Sequence, residues 1–186
     1  MASVVGICNG ALQRLGAARI TSLDNATKNA RECNAAYERR RDTTLRRHRW
    51  SFASQRASLA ADSTAPAFGP ANYFTLPTDC LRVLLPDEVD TDWAIEGRKI
   101  ATDWGAPLEI RYIARITDPN TMDPMFREAL SIDLALTLCE VITGSNQKAA
   151  GLRDEMRDVL AEAKRVNGIE LPAGELREDD WLTARL

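Results

Sequence analysis

The residues best suited to chemistry in this sequence are one histidine, four cysteines and a group of paired acids. Their spacing assembles none of the familiar reactive centres. His48 stands among Arg46, Arg47 and Arg49, and neighbouring positive charge disfavours its protonation. That setting suits an exposed residue at a helix end better than a general base. Asp87 with Glu88, and Asp90 with Asp92, crowd one stretch. Paired carboxylates can hold a hard cation or act as the two acids of a glycosidase, but the same grouping is the ordinary make-up of a solvated turn. Cys8, Cys33, Cys80 and Cys139 lie far apart with no Cys-x-x-Cys spacing. A zinc site needs a chelating pair close in sequence, so four reduced, buried thiols are expected instead. No glycine-rich phosphate loop, no G-x-G-x-x-G after a strand and no G-x-S-x-G elbow is present. The expectation is a protein with no catalytic residue, no metal and no cofactor.

What remains is charge and a tail. The net charge of −3 hides an asymmetry. Residues 31–56 carry eight arginines and three acids, whereas residues 118–186 carry fourteen acids and eight bases. Such a polarised chain can adhere to nucleic acid through its basic part, or meet the acidic part of another copy of itself. Arg39, Arg40, Arg41, Arg46 and Arg47 are expected on one face of a helix, open to nucleic acid, to a neighbouring acidic surface or to solvent. No interleaved aromatics and no helix-turn-helix or zinc-finger pattern accompany them. The end of the chain is an acidic stretch, Glu175-Leu176-Arg177-Glu178-Asp179-Asp180, followed by Trp181-Leu182-Thr183-Ala184-Arg185-Leu186. A tryptophan in such an arm is costly to leave in water. Either it folds back on its own domain or it anchors the arm, with Leu182 beside it, in a groove of another protein.

The elements that position these residues follow from periodicity. Val4, Val5, Cys8, Leu12 and Leu15 recur at helical spacing and Gly16 ends that helix. Asp24 and Asn25 are the expected N-caps of a long second helix. Its apolar face is Ala26, Ala30, Cys33, Tyr37, Thr44 and Leu45, and small residues on its early turns admit another helix closely. From Phe52 to about Ile116 the period becomes two, in Leu81, Val83 and Leu85 and in Leu108, Ile110, Tyr112 and Ala114. Trp93 to Ile100 reads as a hairpin with Gly97 in a type II′ turn, Glu96 opposite Lys99 and Ile95 opposite Ile100. Asp123-Pro124 opens a third helix that is apolar on nearly every side, which must be central in a bundle or covered by another subunit. Gly144 ends it, and Ser145 or Asn146 caps a fourth. Leu152, Met156, Val159 and Ala163 form that helix's single stripe, and Gly168 is expected to end it.

The expected fold class is α+β: a four-helix bundle (residues 1–52 and 118–168) with a small antiparallel β-sheet inserted between helices 2 and 3 (residues 53–117), plus an extended C-terminal arm (residues 169–186). A chain of 186 residues, 45% hydrophobic and 27% charged, is long enough to bury a core and too apolar to be disordered throughout. The richest apolar run, Ala129 to Ile142, is too short for a bilayer and carries Asp133 and Glu140. The first residues have no basic region ahead of their apolar ones, so a soluble, cytoplasmically made protein is expected.

Between the second helix and the strands lies a corner rich in aromatics: Trp50, Phe52, Phe68 and Phe74, interrupted by proline and glycine. These residues are expected to pack together where backbone pairing is broken. Trp50-Ser51-Phe52-Ala53, Arg56-Ala57-Ser58-Leu59-Ala60, Pro66-Ala67-Phe68-Gly69 and the run from Phe74-Thr75-Leu76-Pro77 to Leu81-Arg82-Val83 resemble the head–tail adaptors of tailed bacteriophages. The resemblance is to the short-tailed-phage family called tail tubular protein A. Leu12-Gln13-Arg14-Leu15-Gly16 and Trp181-Leu182-Thr183-Ala184-Arg185 are similar to that family too.

The resemblance implies a structural protein of the virion head–tail junction without enzymatic activity. Its partners would be the portal protein, the tail tube or nozzle protein and itself, in a dodecameric ring through which genome DNA passes without sequence-specific binding. A closed ring requires two different complementary faces on each subunit. Arg39, Arg40, Arg41 and Arg46 are expected to supply one, and Asp154, Glu155, Asp158 and Glu162 the other. The arm, through Trp181, Leu182 and Arg185, is expected to dock on the portal. The competing expectation is a DNA-binding or DNA-packaging accessory protein acting through the arginine-rich second helix.

Overall fold

A computed structural model describes residues 1–84 and 92–170. Within them the chain is α+β, with four helices and two three-stranded antiparallel sheets. The helix ends follow capping chemistry. Ser3 accepts the Gly6 amide at 2.9 Å to open α1 (Val4–Leu15), and Gly16 closes it in the left-handed region at φ 70°. The second helix, α2 (Lys28–Arg47), is capped by Thr27, whose hydroxyl accepts the Ala30 amide. This corrects the expected caps. Asp24 and Asn25 are spent in the preceding turn, where the Asp24 amide donates to the Ser22 hydroxyl and the Asn25 side chain to that of Thr21. Ala26 therefore precedes the helix and does not belong to its apolar face.

The Asp123 carboxylate accepts the Met125 and Phe126 amides at the start of α3 (Pro124–Thr143), with proline in the first turn as expected. Gly144 ends that helix at φ 61°. Ser145 then accepts the Lys148 amide at the start of α4 (Asn146–Glu170). The fourth helix runs through Gly168 rather than stopping there, since glycine weakens a helix without forbidding it.

Helix α3 is the one the others share: α1, α2 and α4 each pack on it. Phe126, Leu130, Ile132, Leu134 and Leu138 are buried around its circumference, which accounts for its lack of a polar face. Ile7, Leu12, Cys33, Leu45, Leu152 and Met156 meet them in one apolar core.

The strands are β1 (Ser54–Leu59), β2 (Asn72–Thr75), β3 (Cys80–Leu84), β4 (Trp93–Glu96), β5 (Lys99–Thr102) and β6 (Leu108–Ala114). They form not one small sheet but two, in the orders β1-β6-β3 and β2-β5-β4. A second core lies between them, with Leu59, Cys80, Val83, Leu108, Ile110 and Tyr112 from the first sheet and Phe74 and Ile100 from the second. Burial of one such Phe or Ile contributes about 1.5–3 kcal/mol. The expected alternation of Leu108, Ile110, Tyr112 and Ala114 holds, and Ile113 between them enters the helical core. The first sheet is thus a wall of the sandwich on one face. Its other face meets the helices only around Ile113, Leu81 and Leu84 and carries Arg56, Ser58, Glu109 and Arg111 beyond them.

Strand β3 serves both faces through a bulge. Cys80 pairs with Ala114 and Arg82 with Ile113, so Leu81 is the extra residue. Cys80 and Val83 therefore share the sandwich face at a spacing of three, while Leu81 and Leu84 pack on the helical core. The expected trio of Leu81, Val83 and Leu85 on one face is replaced by this arrangement, and Leu85 lies outside the described residues. The hairpin register is as expected, Ile95 opposite Ile100 and Glu96 opposite Lys99. Gly97 has φ 62° and the following Arg98 does not share a positive φ, which is the pattern of a type II′ turn. No helix among the described residues is long and apolar enough to cross a membrane.

Candidate functional site

The aromatic corner divides between the two cores. Trp50 is 2% exposed and meets Phe126 edge-on at 5.1 Å, its indole N–H donating to the Thr44 carbonyl at 3.1 Å. Phe52 packs on the same Phe126 ring at 5.1 Å. Phe74 instead belongs to the sandwich core, and Phe68 is 90% exposed. The expected single cluster of four is therefore split three ways, with Trp50 and Phe52 in the helical core, Phe74 in the sandwich and Phe68 carried outward by the loop after β1.

The arginine-rich helix is the principal charged site, and its arginines point in different directions. Arg40 donates from Nε and from a terminal nitrogen to the two oxygens of Asp133 on α3, at 2.6 and 2.5 Å. Arg47 donates to the same carboxylate at 3.1 Å and the Thr44 hydroxyl lies 3.2 Å from it. Asp133 is 2% exposed, so this carboxylate is met by two guanidinium groups and a hydroxyl inside the fold. Arg41 is buried as well. It lies 6.0 Å from the Tyr37 ring centre and pairs with Asp42 at 2.9 Å, and Asp42 also binds Arg115. Arg46, though exposed, donates to the Leu81 carbonyl. Arg39 is exposed, and its guanidinium meets no partner among the described residues.

The expected basic face is thus corrected: Arg40 and Arg41 are engaged within the chain. Arg41 follows Tyr37 by four residues and precedes Thr44 and Leu45 by three and four, so helical geometry alone places it on the buried face. Asp133 was the missed residue. A carboxylate in the middle of an apolar helix needs a partner, and Arg40, Thr44 and Arg47 at spacings of four and three supply it.

On the acidic side, Glu155 is also taken. Arg14 of α1 donates to it at 2.9 Å, to Glu128, to the Ser131 hydroxyl at 3.1 Å and to the Gly10 carbonyl at 3.2 Å. One guanidinium thereby ties α1, α3 and α4. Asp154 pairs with Arg157 one turn on, while Asp158 and Glu162 are exposed with no ion pair among the described residues. Trp181, Leu182 and Arg185 lie outside the described residues, as do Asp87, Glu88 and Asp90.

His48 is half-buried rather than exposed, its ring edge-on to Trp50 at 5.1 Å. Burial holds its pKa below the usual value, helped by the charges of Lys164 and Arg82. All four cysteines are buried and unbridged. The Cys8 thiol is pushed far up by its contact with Cys33 and by burial, which makes it inert as a nucleophile. Among the described residues no group of acids, histidines and cysteines could hold a metal ion.

Two surface hollows carry positive charge. On the sheet β1-β6-β3, Arg56 and Arg111 are directly opposite one another beside a 420 Å³ hollow that Ser58 and Glu109 also line. Between β3 and β4 a cleft of 250 Å³ has Leu76, Cys80, Val83 and Ile95 within it and Arg46, Arg82 and Arg98 around it. No family model matches this chain, and no curated protein matches it either.

Proposed function

We propose that this chain is a structural head–tail adaptor of a tailed phage, a ring-forming connector between portal and tail tube in the virion. In this reading the four helices are its bundle, the two sheets are an insertion in it, and the genome passes through the ring. The observation that carries the proposal is the position of the exposed aromatic side chains. Phe68, Trp93 and Trp104 all belong to the strand region and are 90%, 41% and 38% exposed. Large aromatics are held in water at a cost unless a protein partner covers them. They support a reading in which the strand region meets another protein, while the exposed large apolar side chains of the helical part are the non-aromatic Met1, Val141 and Val166. The resemblance of the corner and of Leu12 to Gly16 to tail tubular protein A is what suggests the phage head–tail junction as that assembly.

For the ring contact, the side chains left over for a neighbour are Arg39 on α2 and Asp158 with Glu162 on α4. Electron microscopy of the protein mixed with its portal should show closed rings on the portal. Arg39→Glu and Asp158→Lys should each weaken ring formation and lower its salt tolerance, and the two together should restore it. Rings indifferent to both reversals would sink the contact, and a protein that never assembles on portal would sink the adaptor reading. The duplex-binding alternative is less well supported, since Arg40, Arg41 and Arg47 turn to carboxylates of their own chain. Strong gel shifts of duplex DNA with a steep salt dependence would reinstate it.

A further inference from the structure

The cleft between β3 and β4 is built from two open sheet edges. Strand β3 ends one sheet and β4 ends the other. Phe74, Ile100 and Ile95 form one row across the second sheet, on the face that looks into the sandwich. Phe74 and Ile100 are fully buried, yet Ile95 is 47% exposed. Trp93, opposite Thr102 on the same face, is exposed too. The first sheet does not extend far enough to cover β4, so the inner face of the sandwich emerges at the surface there.

Around this apolar floor stand three guanidinium groups. Arg46 donates to the Leu81 carbonyl, Arg98 to that of Pro77 at 2.5 Å and Arg82 to that of Arg46 at 3.5 Å. None forms an ion pair among the described residues, and no carboxylate lines the cleft there. The surface thus calls for an extended segment combining acids with a large apolar side chain.

The chain contains such a segment in Glu178-Asp179-Asp180-Trp181-Leu182. Its point of departure is on the correct side. Lys164 of α4 and Arg82 of the cleft both bear electrostatically on the His48 ring, so α4 at Lys164 passes on the side of the molecule that carries His48 and Arg82. From Glu170, where α4 ends, seven extended residues would span about 24 Å.

We infer that residues 178–182 dock in this cleft of their own molecule, the acids on Arg46, Arg82 and Arg98 and the Trp181 ring over Val83 and Ile95. The inference stands apart from the adaptor reading. If both hold, a portal must draw the arm out of the cleft before capturing it.

The test is fluorine NMR of the full chain labelled with 5-fluorotryptophan, the Trp181 signal being assigned by Trp181→Phe. That signal should be broad and shielded from solvent, and independent of protein concentration. Arg82→Asp with Arg98→Asp should shift it to the sharp, solvent-exposed position while the other three tryptophan signals stay in place. Adding Asp179→Arg and Asp180→Arg should return it. Asp179→Asn with Asp180→Asn, which leaves the folded core untouched, should release it as well. A sharp, exposed Trp181 signal in the parent chain overturns the inference. So does a shielded one that varies with concentration, which would mean a second copy, or one unmoved by the arginine reversals. Displacement of the β4 signal of Trp93 by neutralising Asp87, Glu88 and Asp90, with Trp181 unaffected, would assign the cleft to that segment and overturn it too.

Discussion

Arg40 and Asp133, 93 residues apart in sequence, meet through two parallel hydrogen bonds where α2 packs on α3. The pair fixes the register of α2 on α3, because a slip by one turn would leave the buried Asp133 carboxylate without its bidentate partner.

Asp133→Ala should therefore cost about 1–3 kcal/mol, since Arg40, with a side chain 20% exposed, loses its buried acceptor while Arg47, 45% exposed, can turn to water. Replacing both partners with apolar residues of similar size, Arg40→Met with Asp133→Leu, should recover much of that loss. Urea denaturation of the two variants measures the difference. A single variant as stable as the parent would show that the pair does not hold the helices.

Gly10 tells how closely α1 approaches α3. A Cβ there would lie 2.6 Å from the Ser131 hydroxyl but 3.6 Å from the Ser131 Cβ. Gly10→Ala alone should destabilise the fold despite the roughly 1 kcal/mol that alanine gains over glycine in a helix. With Ser131→Ala added, the contact becomes ordinary and stability should rise again. Thermal melts of the single and double variants decide whether this one hydroxyl is the obstacle.

Tyr37 is buried, and its hydroxyl finds no hydrogen-bond partner among the described residues. Burial pushes its pKa up to about 12, with Arg41 pulling the other way. Tyr37→Phe removes the stranded group and keeps the ring, so stability should increase by about 1 kcal/mol. A loss of stability in the denaturation midpoint would reveal a partner for that hydroxyl.

His48 gives the fold a pH dependence of known sign. Its pKa is lowered from 6.5 in the folded chain, so the unfolded chain takes up the proton first as pH falls. The parent should lose stability below pH 6.5 relative to His48→Gln, and the two curves should run parallel above it. Denaturation midpoints across this range isolate the contribution, since His48 is the only histidine.

Local chemistry made several elements legible in advance. Gly16 after an apolar helix, Asp123-Pro124 before another, and Gly97 between Glu96 and Arg98 each determine backbone geometry within a few residues. What was not legible depends on contacts between distant segments. The choice of Thr27 over Asp24 as a cap is made by the turn that engages Asp24 and Asn25. The bulge at Leu81 shifts the phase of β3, so simple alternation assigned its faces wrongly. Division of the strands into two sheets depends on pairing across nearly sixty residues, from β1 to β6. At the charged site, helical spacing from Tyr37, Thr44 and Leu45 suffices to place Arg41 inward, although the run of arginines reads as a single open face. The engagement of Arg40 by Asp133 needed the packing of α3 on α2.

The central position of α3 has a consequence for the order in which the molecule can be completed during synthesis. Both sheets and the sandwich core are drawn from residues 54–114, so that unit has all its strands before α3 leaves the ribosome. Helices α1 and α2 emerge earliest, yet their main apolar surface closes only on a helix that begins at Pro124. Before then Leu81, Leu84 and Ile113, on the sheet face toward the helices, can already meet α2, which touches β3 and β6. The nascent chain therefore passes through a stage in which the strands can close with α2 against them, while the apolar faces of α1 and α2 still wait for the helix between them.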